Sequence, residues 1–199
     1  MIVTRLSPVI ADRWLASSAG GRRLAREAGL VLAGSLLIAA CAQVRIPMWP
    51  VPATLQSLAV LLIGVLFGAR RGAATALAYL AEGAAGLPVF AGFGSGVTTL
   101  VGPTGGYLAA FPVAAWAVGA FVERGWDRRW SSAVAALVVG DVIILSLGFG
   151  WLAVLAGPAA AWTGGVAPFL LFNALKVAFV ACLMPVVRRR LTASSASVG

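Results

Sequence analysis

The chain contains no histidine, and lysine occurs once, at Lys176. Without an imidazole there is no His-ligated zinc or haem and no Ser-His-Asp catalysis, because each needs that ring. Charge is scarce as well. Only 11% of the 199 residues are charged, where a soluble domain carries about a quarter. The two cysteines, Cys41 and Cys182, lie in apolar runs, and one such pair has no framework spacing that would signal a disulfide. No Walker A pattern of the form Gly-x4-Gly-Lys-Ser/Thr is present, so the chain is not expected to hydrolyse ATP by itself.

Apolar residues fill the space that charge leaves. They make up 61% of the chain, and the 24 glycines are interleaved with Leu, Val and Ala in long runs, which excludes disorder away from the ends. The net charge of +9 sits on arginines bunched between those runs, without the interleaved aromatics of a nucleic-acid platform. Membrane topology accounts for them, and no nucleic-acid partner is expected.

A helix crosses the hydrocarbon core with about 20 apolar residues. On that basis spans are expected at residues 28–44, 54–68, 72–86, 105–122, 131–153 and 166–187. The basic residues test the count. All but Arg45 and Lys176 fall between Arg5 and Arg26, at Arg70 and Arg71, between Arg124 and Arg129, or at Arg188 to Arg190. With six spans these four clusters share one face, which the positive-inside rule makes cytoplasmic. The expectation is therefore an all-α, six-helix integral membrane bundle with both termini cytoplasmic, of the kind found in a bacterial inner membrane. Residues 1–27 are expected as an N-terminal interfacial arm, 28–190 as the membrane domain in lipid, and 191–199 as a disordered tail. Oligomeric state stays open, with a homo-oligomer one alternative.

The loops on the other face carry the information. Residues 45–56 hold Pro47, Pro50 and Pro52, which stiffen the chain. Residues 86–105 are long, Gly-rich and uncharged; they are expected to fold back over a cavity as a lid, or else to be a re-entrant packing element. The run Gly102-Pro-Thr-Gly-Gly-Tyr107 opens the fourth span, where free N–H groups could hold an anion. Ionisable groups inside spans are functional candidates by default, which selects Glu82, Asp141 and Lys176. Asn173 shares a helical face with Lys176, and either Glu82 or Asp141 could neutralise the lysine. Gln56, Tyr79 and Tyr107 are further candidates, each equally readable as a packing residue. Trp49, Trp126 and Trp130 read as interfacial belt residues, and Trp151 and Trp162 as belt or pocket wall.

Three stretches resemble the BioY family, the biotin-specific S components of energy-coupling factor (ECF) transporters. They are Val51-Pro-Ala-Thr-Leu-Gln56, then Tyr79-Leu-Ala-Glu-Gly-Ala-Ala-Gly-Leu-Pro-Val-Phe90-Ala-Gly92, then Gly102-Pro-Thr-Gly-Gly-Tyr107-Leu. Gly140-Asp141 with Gly150-Trp-Leu152, and Pro168-Phe169 with Lys176, are similar too. The resemblance implies a six-helix protein that captures biotin from outside, driven by a transmembrane T component and a pair of ATPases. It implies a substrate site drawn from Gln56, Tyr79, Glu82, Phe90, Gly92, Tyr107, Asp141, Asn173 and Lys176, with Phe90 and Phe93 in the lid. No catalytic residue, metal or cofactor is implied. The family commonly has aspartate three residues before the lysine, and Asn173 departs from that. T-component docking in the family uses small residues on the first helix, represented here by Gly29-x3-Ala33 and Ser35-x3-Ala39. The competing expectation is a solitary transporter coupled to protons through Glu82, Asp141 and Lys176.

Overall fold

The computed structural model describes residues 21–196, with side chains from Arg22 to Cys182. Most of the expected N-terminal arm and the last three residues of the expected tail lie outside the described residues. Helix α1 (Gly21–Gln43) runs without a break from residue 21, so the last residues assigned to the arm are continuous with the first span. Two short strands follow, β1 (Arg45–Ile46) and β2 (Ala53–Thr54), paired antiparallel with Arg45 opposite Thr54 and Ile46 opposite Ala53. The prolines fall between them, where the missing N–H groups interrupt no ladder.

Helix α2 (Gln56–Ala84) is a hairpin rather than a rod. Gly68 has φ 81° and ψ −177°, a conformation that only glycine adopts readily. Gln56 and Tyr79 would be about 34 Å apart on a straight helix, yet their side chains are hydrogen-bonded at 2.5 Å. Both pairs that meet, Gln56 with Tyr79 and Gly64 with Gly72, centre within one residue of Gly68. The turn thus lies two residues before Arg70 and Arg71, the pair that divides the second and third expected spans. Glu123 fixes it, its carboxylate accepting the N–H of Ala69 at 2.8 Å and so capping the returning arm. Gly119 allows the approach, since any Cβ there would overlap the backbone of Gly68 and Ala69.

The segment that follows contains a single 3-10 turn (Ala91–Phe93) and helix α3 (Val97–Val101). Helix α4 (Gly105–Glu123) is the most enclosed element, packed between the α2 hairpin and α5 (Trp130–Ala156). A short α6 (Pro158–Gly165) occupies part of the expected last outer loop and meets α7 (Phe169–Ala196) at a bend of 46°. Helix α7 continues to Ala196, into the stretch expected to be a tail, where neither Gly nor Pro stops it before residue 199.

Among the described residues, four helices are able by length and composition to cross a membrane, or five with α6 and α7 taken as one bent span. The molecule is a mostly helical, multi-pass membrane protein. Two ends are distinct. At one, Arg71 pairs with Glu27 near the start of α1 and Glu123 caps the hairpin turn, which gathers three of the arginine clusters. At the other, residues 45–55, 86–104 and 157–168 come together. The buried core divides in the same way, into a cluster around Tyr79, Phe90 and Phe111 and another around Leu61, Val118 and Leu137.

Candidate functional site

A cavity of about 210 Å³ opens beneath the loops. Its walls come from distant parts of the chain. Val51 and Pro52 come from the β1–β2 connection, Thr54 from β2, Gln56 and Ser57 from the first turn of α2, and Phe90, Ala91, Thr99 and Thr104 from the 86–104 segment. Tyr107, Leu108 and Phe111 of α4, Ile144 and Leu145 of α5, and Phe169, Asn173 and Lys176 of α7 close it. Most of this surface is hydrocarbon or aromatic, with a few convergent polar groups, the usual makeup of a small-molecule site.

Two polar clusters stand in that apolar wall. In the first, Lys176 Nζ donates to Ser57 Oγ at 2.9 Å and to Asn173 Oδ1 at 3.2 Å. An ammonium has three N–H donors, so one remains free for a ligand. The Asn173 side chain also lies within interaction distance of Asp141, which is itself buried and within electrostatic reach of the lysine. Asn173 therefore stands between the cation and its nearest carboxylate. In the second cluster, Thr54 Oγ1 donates to Gln56 Oε1 at 2.9 Å, and Gln56 Nε2 donates to the Tyr79 hydroxyl. Tyr79 in turn donates to the Val89 carbonyl at 3.0 Å. Gln56 retains one N–H and one lone pair for a further partner.

The geometry sorts the candidate residues. Gln56, Phe90, Tyr107, Asn173 and Lys176 line the cavity. Tyr79 and Asp141 stand directly behind lining residues, through Gln56 and Asn173. Glu82 does not reach the cavity; Ser35 of α1 donates to its Oε1 at 2.7 Å. Of the two carboxylates that could balance Lys176, Asp141 is the one beside it. Gly92 faces away from the cavity: with φ +68°, it leaves room for the Arg45 guanidinium, which any Cβ there would strike. Phe93 is 70% exposed, leaving Phe90 alone as the lid's buried ring, edge-on to Tyr79 at 5.5 Å. Tyr107 is anchored by donating to the Gly165 carbonyl at 2.7 Å. Trp151 is outside the wall and donates to Gly102, tying the end of the lid segment to α5.

Sequence reasoning passed over Ser57, the direct partner of Lys176, and the threonines at 54, 99 and 104. The signal for Ser57 was its place beside Gln56 in the first turn of a span, where a hydroxyl needs a partner.

A model of the BioY family matches residues 12–193. The chain belongs to the BioY family. It is 38% identical over 154 residues to a protein of Pyrococcus horikoshii named as a probable biotin transporter BioY, covering 77% of this chain and 91% of that one. It is 41% identical over 121 residues to the biotin transporter BioY of Thermotoga maritima, 60% of this chain and 70% of that protein. A crystal structure of the S-component for biotin from an ECF-type ABC transporter superposes with a TM-score of 0.74. That match covers 86% of this chain and 95% of the other at 20% identity, so what it shares is the fold.

Proposed function

We propose that this BioY-family chain is the biotin-capturing membrane subunit of a vitamin uptake transporter, energised by a T component and a pair of ATPases. It is a transporter subunit and not an enzyme. The observation that carries the reading is the covered apolar cavity with one lysine at its polar end. Biotin has a matching division, with a carboxylate at one end, a ureido ring at the other and hydrocarbon between. Lys176 donates its free N–H to the carboxylate, with Asn173 and Ser57 holding the ammonium in place. Gln56, positioned by Thr54 and Tyr79, offers an N–H and a lone pair to the ureido group. Phe90, Phe111 and Phe169 cover the apolar middle.

Six spans are the topology we favour. The two arms of α2 count separately, and α6 with α7 count once. Gathering of the arginine clusters at one end supports a cytoplasmic assignment for that end and for both termini, and an inner cell membrane as the location. On α1, Gly29 and Ala33 are exposed together with Leu36 and Leu37, whereas Ser35 faces inward to Glu82. The Gly29-x3-Ala33 face is therefore the one available to a T component. The separation of Glu82 from Asp141 and Lys176 speaks against a proton path through all three, and so against a solitary proton-coupled carrier.

The test is calorimetric titration of biotin, with biotin amide as control, into the detergent-purified protein and its Lys176→Ala variant. Biotin is expected to bind tightly to wild type, more weakly as the amide, and weakly or not at all to the variant. A folded wild-type sample that gives no saturable heat overturns the reading. Biotin uptake by liposomes that follows a proton gradient without added ATPase would instead establish the solitary carrier.

A further inference from the structure

The 86–104 segment reaches the cavity through Phe90 and Ala91, and the same turn is held from its far side by the end of α1. Gln43, the last residue of α1, donates through Nε2 to the Phe90 carbonyl at 3.1 Å and accepts through Oε1 the N–H of Phe93 at 3.0 Å. Its Nε2 also donates to the Ala39 carbonyl at 3.2 Å, which fixes the side chain on its own helix. Arg45, two residues on, lays its guanidinium over Gly92 in the same turn. Phe93 has φ 59°, the one positive φ at a non-glycine among the described residues. A bulky residue in that left-handed conformation is held there by its surroundings and relaxes when they are removed. The N–H of this strained residue is the one that Gln43 captures.

We propose that Gln43 is a positioning residue that latches the Phe90–Gly94 turn over the cavity and thereby sets how fast ligand enters and leaves. An amide does both jobs with two separate atoms, donating to the Phe90 carbonyl and accepting from the Phe93 N–H three residues on. Both bonds are neutral, and one of them is exposed, so each is weak enough to break in the opening motion. Opening frees Phe93 to leave its left-handed conformation, which withdraws Phe90 and Ala91 from the cavity wall. The anchored Tyr79–Val89 bond marks where the moving part begins. The proposal rests on the ligand reading above for its cargo, but the latch itself is a property of the unliganded protein.

The experiment compares the full chain in detergent as wild type, Gln43→Leu and Gln43→Glu. Two readouts are taken: rates of biotin association and release, and amide hydrogen exchange across residues 88–94 without ligand. Gln43→Leu removes both bonds and is expected to raise both rates about ten-fold, as for loss of one or two hydrogen bonds, with Kd changed less than about three-fold. Gln43→Glu keeps the acceptor for Phe93 but loses the donor to Phe90, and is expected to fall between. Exchange is expected to quicken over residues 88–94 and nowhere else. Faster release with unchanged association would mark an ordinary structural contact and overturn the latch, as would unchanged exchange. If Gln43→Leu does not fold, Gln43→Glu decides by the same criteria. If wild type binds no biotin, the ligand reading fails and the exchange result alone judges the latch.

Discussion

The two ends of the bundle are tied by different chemistry. At the arginine-rich end the ties use ionised side chains: Arg71 and Arg23 on Glu27, and the Glu123 carboxylate on the N–H of Ala69. At the loop end the hydrogen bonds that hold the loops are neutral side chains on backbone groups: Gln43 on Phe90 and Phe93, Tyr79 on Val89, Tyr107 on Gly165, Trp151 on Gly102. Hydrogen bonds to ionised groups are roughly twice as strong as neutral ones. Under the proposed function, the contrast follows from what each end does. A helical hairpin must keep its turn closed and its arginines on one side of the membrane, whereas an end that admits a ligand has to open and close again.

That comparison breaks most completely at Gly119. Gly119→Leu drives a side chain into the backbone of the hairpin turn, a clash with no flexible neighbour to absorb it. Loss of monodisperse protein on size-exclusion chromatography is expected, and a folded, ligand-binding Gly119→Leu protein would mean that the turn is not fixed by α4. Next in size is Lys176→Ala. Removing a charge-assisted bond to a ligand is worth about 1.5–3 kcal/mol, so biotin affinity is expected to drop on the order of 10- to 100-fold. Thermal stability should fall as well, because Asp141 is left buried without its cation, so affinities are compared at a temperature where both proteins are folded. A variant with wild-type affinity would remove Lys176 from the site.

These residues also show how far the sequence alone reaches. Apolar run length was enough for a mostly helical chain with several membrane-crossing helices, and the break between the second and third expected spans was legible because a charged pair stands beside the glycine that turns the chain. Hydropathy fixes how deep a residue lies along a helix but not the direction in which its side chain points. Lys176 and Asn173 were visible because a lysine and an amide three residues apart on one face are costly in lipid. Glu82 lay at a credible depth yet turned to Ser35 on α1, and only the packing of α1 against the hairpin decides that. Asp141 stopped one residue short of the cavity behind Asn173. Ser57 and Gln43 were invisible for a different reason: a serine in a first turn and a glutamine at a helix end are ordinary, and only partners 119 and about 50 positions away distinguish them.

Glu123→Gln sharpens the comparison at smaller scale. The amide still offers an oxygen to the Ala69 N–H but loses the negative charge at the start of a helix, a loss of about 0.5–1 kcal/mol. A fall of a few degrees in the unfolding midpoint is expected, with biotin rates unchanged. Gln43→Leu should do the reverse, changing the rates with little effect on the midpoint. If the two variants produced the same pattern, the division between a fixed end and an exchanging end would be lost.

For Arg71→Gln, the loss of the pair with Glu27 should be the smallest of these effects. Its contact with Glu27 is 3.4 Å, the glutamate is about one-third exposed, and Glu27 keeps Arg23 at 3.5 Å as a second partner. Ion pairs of this kind contribute roughly 0.5 kcal/mol and weaken as salt rises. A shift in midpoint of about one degree is expected at low salt and none at high salt. The neighbouring Arg70 keeps the turn basic, so membrane orientation, read by labelling an engineered cysteine in each loop, should be unchanged. An inverted or mixed orientation would show that a single arginine, and not the pooled charge of the clusters, decides which end faces the cytoplasm.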